Sequence, residues 1–324
     1  MNYMKLLFVV ANLMLSSYSY ATMVEVGHVI VINSNDDSIS LIQPKTYKEI
    51  RRVYIGKGPH HLLPTPDNKH LIVGNTISNE LVIIDPLNGK FIKRISKISD
   101  PYHIGFSPDG RYFVANGNRL NHVDIYRYKS LEFELIARIK LHYTPSHMAF
   151  DENNIVYITL QDSDRLVAID VETRKTKWFA STGRSPAGVW ITPDRKHVLV
   201  GNTSTDYVDV FLAVDGSHIK RIKTGKGAHN FLPVGDGRHV LISNRVENTI
   251  SIIDQNKLRV VDQLKVPGGP DDMEMMQNGK ELWVTSRWRN RVSVIDMKTR
   301  KLKYYIKVGR SPHGIYYHKH ALRR

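Results

Sequence analysis

Short apolar runs separated by polar turns recur along the whole chain. The clearest run is rich in β-branched residues and ends in aspartate, a composition typical of buried strands. It occurs at 81–85, 166–170, 250–254 and 292–296. A second run usually precedes it and ends in asparagine, as at Asn75, Asn116, Asn202 and Asn244. No stretch shows a sustained helical period, so the pattern predicts an all-β chain of short strands.

A proline-containing turn gives these strands a fixed period. Most copies resemble Gly-x-x-Pro and lead directly into an apolar strand that ends in a turn such as Ser107-Pro108-Asp109-Gly110. The proline slots are Pro59, Pro101, Pro145, Pro186, Ala228, Pro270 and Pro312, which lie 41 to 44 residues apart. Four short strands in each of seven repeats predict a seven-bladed β-propeller with antiparallel blades.

The two ends of the repeat predict how the ring closes. Residues 28–55 supply the second, third and fourth strands of a blade, whereas residues 313–318 supply only a first strand. We therefore expect the C-terminal strand to become the innermost strand of the blade that the N-terminal segment begins.

The N-terminal segment has the features of an export signal. Lys5 precedes an apolar run from Leu6 to Leu15, and Ser19 and Ala21 are the small residues that a signal peptidase requires. The run is short for a membrane span, which makes a retained anchor the alternative. We predict a signal peptide at 1–21 that is cleaved near Ala21, a single propeller domain at 22–324, and a periplasmic or secreted protein. The absence of cysteine excludes disulfides, cysteine-ligated zinc, iron–sulfur clusters and covalent c-type haem.

The repeat resembles the YVTN family of seven-bladed propellers. The resemblance spans residues 28–318 and is plainest at 282–286 (LWVTS), 292–299 (VSVIDMKT) and 308–314 (VGRSPHG). It implies the propeller fold and a family that includes periplasmic binding proteins, surface proteins and relatives of haem d1 and quinoprotein propellers. One fold that serves such different proteins leaves function to be argued from a site.

Histidines concentrate directly after the proline slots. The two positions after each slot hold six of the 15 histidines, namely His60, His61, His103, His147, His229 and His313. The innermost strand of a propeller lines the axial channel, so these side chains should lie at the channel mouth. Because side chains alternate along a strand, we expect His60 and His61 to point in different directions.

Clustered imidazoles suit copper, zinc or iron, or the axial position of a haem. His61, His103 and His147 occupy the second position in successive blades, and we predict that they ligate copper or zinc. A non-covalent haem-type cofactor is an alternative. The histidines could equally donate hydrogen bonds to an anionic ligand, or cap turns and pack between blades.

Two other segments fall on the histidine face. Asp272 and Glu274 follow the sixth proline slot, where they could ligate or act as a general base, or pair with a nearby arginine. Arg287, Trp288 and Arg289 form a loop that could stack on a base, sugar or aromatic cofactor, or simply cover a blade edge.

The formal net charge of +15 indicates an anionic partner. The excess of lysine and arginine falls in the fourth strands, for example Lys301, Lys303 and Lys307. This basic outer rim could bind an anionic polymer such as single-stranded DNA, or a membrane surface. Protection of the sheet edges explains the same charges without a partner.

No catalytic motif is present, which favours a binding or accessory module over an enzyme. We expect a monomer that binds a small ligand or a protein at the channel mouth. The alternatives are a haem d1-type protein and a lactonase-like hydrolase with a metal near Glu274, Asp272 and His61.

Overall fold

A computed structural model describes residues 27–322, and the signal peptide predicted at 1–21 lies outside them. It contains seven four-stranded antiparallel sheets, arranged as the blades of a propeller. The predicted fold class is therefore confirmed. The only helical elements among the described residues are three single turns of 3-10 helix at Ser34–Asp36, Gln161–Ser163 and Arg287–Arg289. None of the described residues forms a helix that could cross a membrane.

The strands fall into four concentric sets. The innermost are β4 (Pro59–Pro64), β8 (Pro101–Phe106), β12 (Pro145–Phe150), β16 (Pro186–Ile191), β20 (Ala228–Pro233), β24 (Pro270–Met275) and β28 (Pro312–Tyr316). The second are β1 (Val29–Asn33), β5 (Leu71–Asn75), β9 (Tyr112–Gly117), β13 (Ile155–Leu160), β17 (His197–Asn202), β21 (His239–Asn244) and β25 (Glu281–Ser286). The third are β2 (Ser38–Gln43), β6 (Glu80–Ile84), β10 (His122–Lys129), β14 (Arg165–Asp170), β18 (Tyr207–Leu212), β22 (Thr249–Asp254) and β26 (Arg291–Asp296). The outermost are β3 (Lys48–Tyr54), β7 (Phe91–Ser96), β11 (Glu132–Lys140), β15 (Lys175–Ser181), β19 (His218–Lys223), β23 (Arg259–Lys265) and β27 (Lys301–Lys307).

The ring closes as the sequence predicts. The first sheet has the order β28-β1-β2-β3, and its innermost pairing joins Val31 to Ile315. We call this sheet blade 1. The six sheets that follow in chain order, from β4–β7 to β24–β27, are blades 2 to 7.

The core lies between neighbouring blades. One cluster joins Ile32 and Leu41 of blade 1 to Leu71 and Val82 of blade 2, and all four side chains are buried. The second and third strands are buried on both faces because a blade packs on each side. The outermost strands are largely exposed, as in β27.

A β-bulge interrupts every innermost strand just after its proline slot. In blade 4, Pro145 pairs with Leu160 but Met148 pairs with Ile158, so the innermost strand carries one extra residue. Equivalent shifts occur in the other six sheets. A bulge re-aims side chains and breaks the simple alternation along a strand. Both positions after the slot therefore contribute side chains to the axis.

Candidate functional site

The structure brings all six predicted histidines together in one chain of ring contacts. Successive ring centres are 3.9 Å apart for His61 and His103, 4.8 Å for His103 and His147, and 4.9 Å for His147 and His229. The chain continues over 6.3 Å from His229 to His313 and 4.2 Å from His313 to His60. We call these six side chains the histidine ring.

Several nitrogens of the histidine ring are buried without a partner. His147 is only 2% exposed, and neither of its ring nitrogens forms a hydrogen bond within the described chain. The same holds for Nδ1 of His103 and for both ring nitrogens of His313. Buried polar atoms in folded proteins are nearly always hydrogen-bonded, so these nitrogens mark a place where a bound group would supply what the chain does not.

Five of the six side chains of the histidine ring are neutral imidazoles at neutral pH. Burial lowers the pKa of His60, His103, His147 and His313 well below the usual value for histidine. Burial, and next the charge of Arg245, lowers the pKa of His229 to about 4. Each neutral imidazole has one N–H donor and one acceptor nitrogen.

Asp271 is a fully buried carboxylate at the edge of this ring. Arg245 Nε donates to Asp271 Oδ1 at 2.9 Å, and Arg287 Nη1 donates to Oδ2 at 3.0 Å. Nδ1 of His229 lies 3.1 Å from Asp271 Oδ1, and Nε2 of His313 lies 3.8 Å from Oδ2. Asp271 thus contacts two histidines and two arginines.

Burial alone would raise the pKa of Asp271, but the charge of Arg245 and the contacts with His313 and His229 outweigh it. They hold the pKa of this carboxyl well below its ordinary value. Asp271 is therefore ionised and faces two guanidinium groups. Two guanidinium groups thus contact one carboxylate, and Asp272 adds a second carboxylate at the next residue of the strand.

The sequence analysis did not select Arg245, Asp271 or Tyr102 as site residues. The ring of Tyr102 stacks on His60 at 3.8 Å, and His60 Nδ1 donates to the Tyr102 carbonyl at 2.8 Å. Arg245 and Arg287 are the first residues after β21 and β25, where the other blades have Ser34, Thr76, Asn118, Gln161 and Thr203. An arginine at this position in only two of the seven repeats was the sequence signal that could have identified Arg245 and Arg287.

A small axial cavity of about 220 Å³ lies beside the histidine ring. His61, His103 and His147 line it together with Asn230 and Asp272, and Asn230 Nδ2 donates to Asp272 Oδ1 at 2.8 Å. Pockets for drug-sized ligands occupy roughly 300–1,000 Å³, so this cavity fits a group of only a few heavy atoms. A larger cleft of about 950 Å³ between blades 1 and 7 opens on the opposite face and holds none of the predicted site residues.

Within residues 27–322, no three histidine, aspartate or glutamate side chains are arranged to hold a metal ion. Two imidazoles on one zinc ion, with Zn–N bonds near 2.0–2.1 Å, would place their ring centres roughly 5 Å apart. The rings of His61 and His103 stack more closely, at 3.9 Å. The metal site on His61, His103 and His147 stays a prediction.

Glu274 lies apart from the histidine ring. It is buried against the innermost strand of blade 1, where the Tyr317 backbone N–H donates to Glu274 Oε2 at 3.2 Å. It does not line the axial cavity. The two acidic residues that the sequence analysis selected therefore occupy different places.

The three residues of the predicted stacking loop, Arg287, Trp288 and Arg289, also occupy different places. Arg287 belongs to the site through Asp271, whereas Arg289 is exposed and its stem packs near Gly268. Trp288 is more than half exposed, and its ring lies against Gly269.

Comparison with known proteins identifies the family. The chain belongs to the YNCE-like beta-propeller family, whose model matches residues 5–323. A search of curated proteins gives no match. This family and the seven-bladed structure are consistent with the predicted YVTN-type repeat.

Three solved structures share the fold. A functionally unknown protein from Desulfotomaculum acetoxidans has a TM-score of 0.76 at 16% identity, covering 92% of this chain and 100% of its own. The dihydro-heme d1 dehydrogenase NirN in complex with DHE has a TM-score of 0.61 at 14% identity, covering 90% and 75%. Kuenenia stuttgartiensis hydrazine synthase has a TM-score of 0.66 at 18% identity, covering 79% and 88%. At these identities the likeness concerns the fold alone.

Proposed function

We propose that this propeller is a binding protein that takes a small anionic group, a carboxylate or oxyanion, at the histidine ring. The observation that carries the proposal is the excess of charge around Asp271. Arg245 and Arg287 both contact this one buried carboxylate, so these direct contacts at Asp271 contain one more positive than negative charge. An anion would balance that charge.

The neutral imidazoles complement such an anion. Their N–H groups are hydrogen-bond donors, and buried donors without acceptors raise the free energy of the unliganded protein. Hydrogen bonds to a charged acceptor are about twice as strong as neutral ones. An anion at this place would therefore use both the arginines and the ring nitrogens of His147 and His313 that form no hydrogen bond in the described chain.

The same charges oppose a divalent cation. Burial is the main cause of the lowered pKa of His147 and His229, and the positive charge of Arg245 lowers the pKa of both imidazoles further. A copper or zinc ion bound there would meet the same repulsion. A lactonase-like site would also place Glu274 at the mouth, whereas this residue contacts Tyr317 instead. These features favour anion binding over both alternatives.

Titration of the purified protein with acetate, phosphate and sulfate at low ionic strength tests the proposal. We expect at least one anion to raise the melting temperature and to bind measurably by calorimetry. Arg245→Met and Arg287→Met should each weaken that binding by about tenfold or more, since each removes the excess charge.

Arg119→Met is the matched control. Arg119 also pairs with a buried aspartate on the histidine face, Asp100, but it makes no contact with the histidine ring in the described structure. Its replacement should leave anion binding unchanged. The proposal fails if no anion binds, or if copper or zinc binds the wild-type protein and the arginine variants with equal affinity.

A further inference from the structure

Blades 6 and 7 present the same pair of side chains in the loop after their second strand. The pairs are Arg245-Val246 and Arg287-Trp288, and in each pair the arginine reaches the buried Asp271. The apolar partner remains outside, with 55% of its surface exposed in both cases. Each loop therefore offers a cation at the axis and an apolar surface one residue further out.

Backbone contacts hold both pairs in the same geometry. Arg245 N and Val246 N donate to the carbonyls of Gly227 and Lys226, and the second pair repeats these bonds to Gly269 and Gly268. Val246 and Trp288 also pack against Gly227 and Gly269, where an added Cβ would collide with them. Both glycines have a positive φ, so other residues would be strained there. The exposed apolar side chains are thus rigidly placed, which lowers the entropy cost of binding.

The other blades lack this combination. At the position of Val246 and Trp288 they carry Asn35, Arg119, Asp162 and Ser204, and Ile77 follows Thr76 instead of an arginine. Exposed apolar side chains do continue around the same face, at Ile77, Leu120 and Tyr143. The apolar surface is consequently wider than a single small acid would cover.

We propose that the anionic group is the C-terminal carboxylate of a peptide or protein partner whose last residues are apolar. The carboxylate would lie at Arg245 and Arg287, and the final side chains would pack on Val246 and Trp288. Tryptophan and arginine are the residues most enriched in binding hot spots. This inference rests on the proposed function, because it assigns a source to the same anion.

An array of short peptides, immobilised through their N-termini, tests this proposal. Each peptide is presented twice, once with a free C-terminal carboxylate and once as the C-terminal amide. We expect the full-length protein to bind acids that end in apolar residues. In solution, amidation of the best-binding peptide should weaken its binding by about tenfold or more. Equal binding of acid and amide forms, or no binding to any peptide, would overturn the proposal.

Two variants with matched controls locate the contact. Trp288→Ala and Val246→Ser should each reduce peptide affinity by at least about fivefold and leave acetate binding unchanged, because acetate has no apolar extension. Phe179→Ala on an outermost strand and Val214→Ser on the opposite face also remove exposed apolar side chains. These controls should bind the peptide like the wild-type protein. Equal losses in the controls would contradict the assigned surface.

Acetate and benzoate, titrated in parallel, separate this inference from the proposed function. If either small acid binds in an Arg287-dependent way and no peptide does, the anion site stands and the peptide partner is wrong. If no peptide binds and neither these acids nor phosphate and sulfate bind, both proposals fail.

Discussion

Two arcs of side chains around the axis differ in charge. One arc, from blades 2 to 4, consists of His61, His103 and His147, whose imidazole rings contact one another in sequence. The other arc, from blades 6, 7 and 1, consists of His229, Asp271 and His313 with the two arginines. We call these the neutral arc and the charged arc. They share one bulged strand geometry, but the neutral arc consists of second residues after the proline slot and the charged arc of first residues.

We expect the two arcs to contribute differently to stability and to binding. In the charged arc, Asp271 has four polar neighbours, and their contacts offset its burial. In the neutral arc, His147 buries two ring nitrogens without a partner in the described chain. Such burial lowers stability, which is common where a protein keeps groups for a ligand. The contacts of Asp271 should therefore stabilise the charged arc, whose two arginines also face the anion, whereas the neutral arc should contribute mainly to binding.

The largest expected effect is the loss of the charged arc's carboxylate. Asp271→Ala leaves Arg245 and Arg287 without their shared partner, so the free energy of unfolding should fall by about 3 kcal/mol. Urea denaturation measures this change. Asp100→Ala is the control, because Asp100 is equally buried and pairs with the half-exposed Arg119. Burial raises the pKa of Asp100 despite that arginine, so its removal should cost less. A larger loss of unfolding free energy for Asp100→Ala than for Asp271→Ala would contradict this prediction.

Acid should destabilise the protein through the buried histidines. The pKa of His229 is about 4 in the folded protein, below the value of about 6.5 in an unfolded chain. Between these pH values only the unfolded state binds this proton, so stability is complete above pH 6.5 and declines as pH falls. The decline is about 1.4 kcal/mol per pH unit for each such histidine.

Denaturation curves at several pH values test whether the histidine ring causes this acid sensitivity. Burial also lowers the pKa of His103 in the neutral arc, so His103→Leu should have a shallower decline than the wild-type protein. His142 is exposed, and His142→Leu should leave the slope unchanged. Identical slopes in all three proteins would show that the histidine ring does not govern acid sensitivity.

The smallest expected effect is a gain in stability within the neutral arc. His147→Leu removes two unpartnered nitrogens and keeps a side chain of similar volume. We therefore expect the free energy of unfolding to rise by about 1 kcal/mol. His229→Leu should instead destabilise the protein, since Asp271 loses a contact at 3.1 Å. Denaturation together with acetate titration checks both variants. Destabilisation by His147→Leu would mean that this imidazole supports the fold, and unchanged acetate binding would remove it from the site.

The sequence by itself determined the fold, the closure of the ring and the six histidines at the axis. It could do so because a repeat places the same turn at the same point of every blade, and the turn is visible in the proline slots. Glu274 shows the limit of this reasoning, since its position in the repeat resembles that of Asp272 although it packs against Tyr317.

Only the tertiary structure decided how the arcs differ in charge. The bulge that brings both post-proline positions to the axis has no residue signature of its own. Arg245, Asp271 and Arg287 come from separate points in the chain and meet because blades 6 and 7 are neighbours. Whether a buried charge is compensated depends on distances between residues that are far apart in the sequence. The periodicity of the sequence contains no information about those distances.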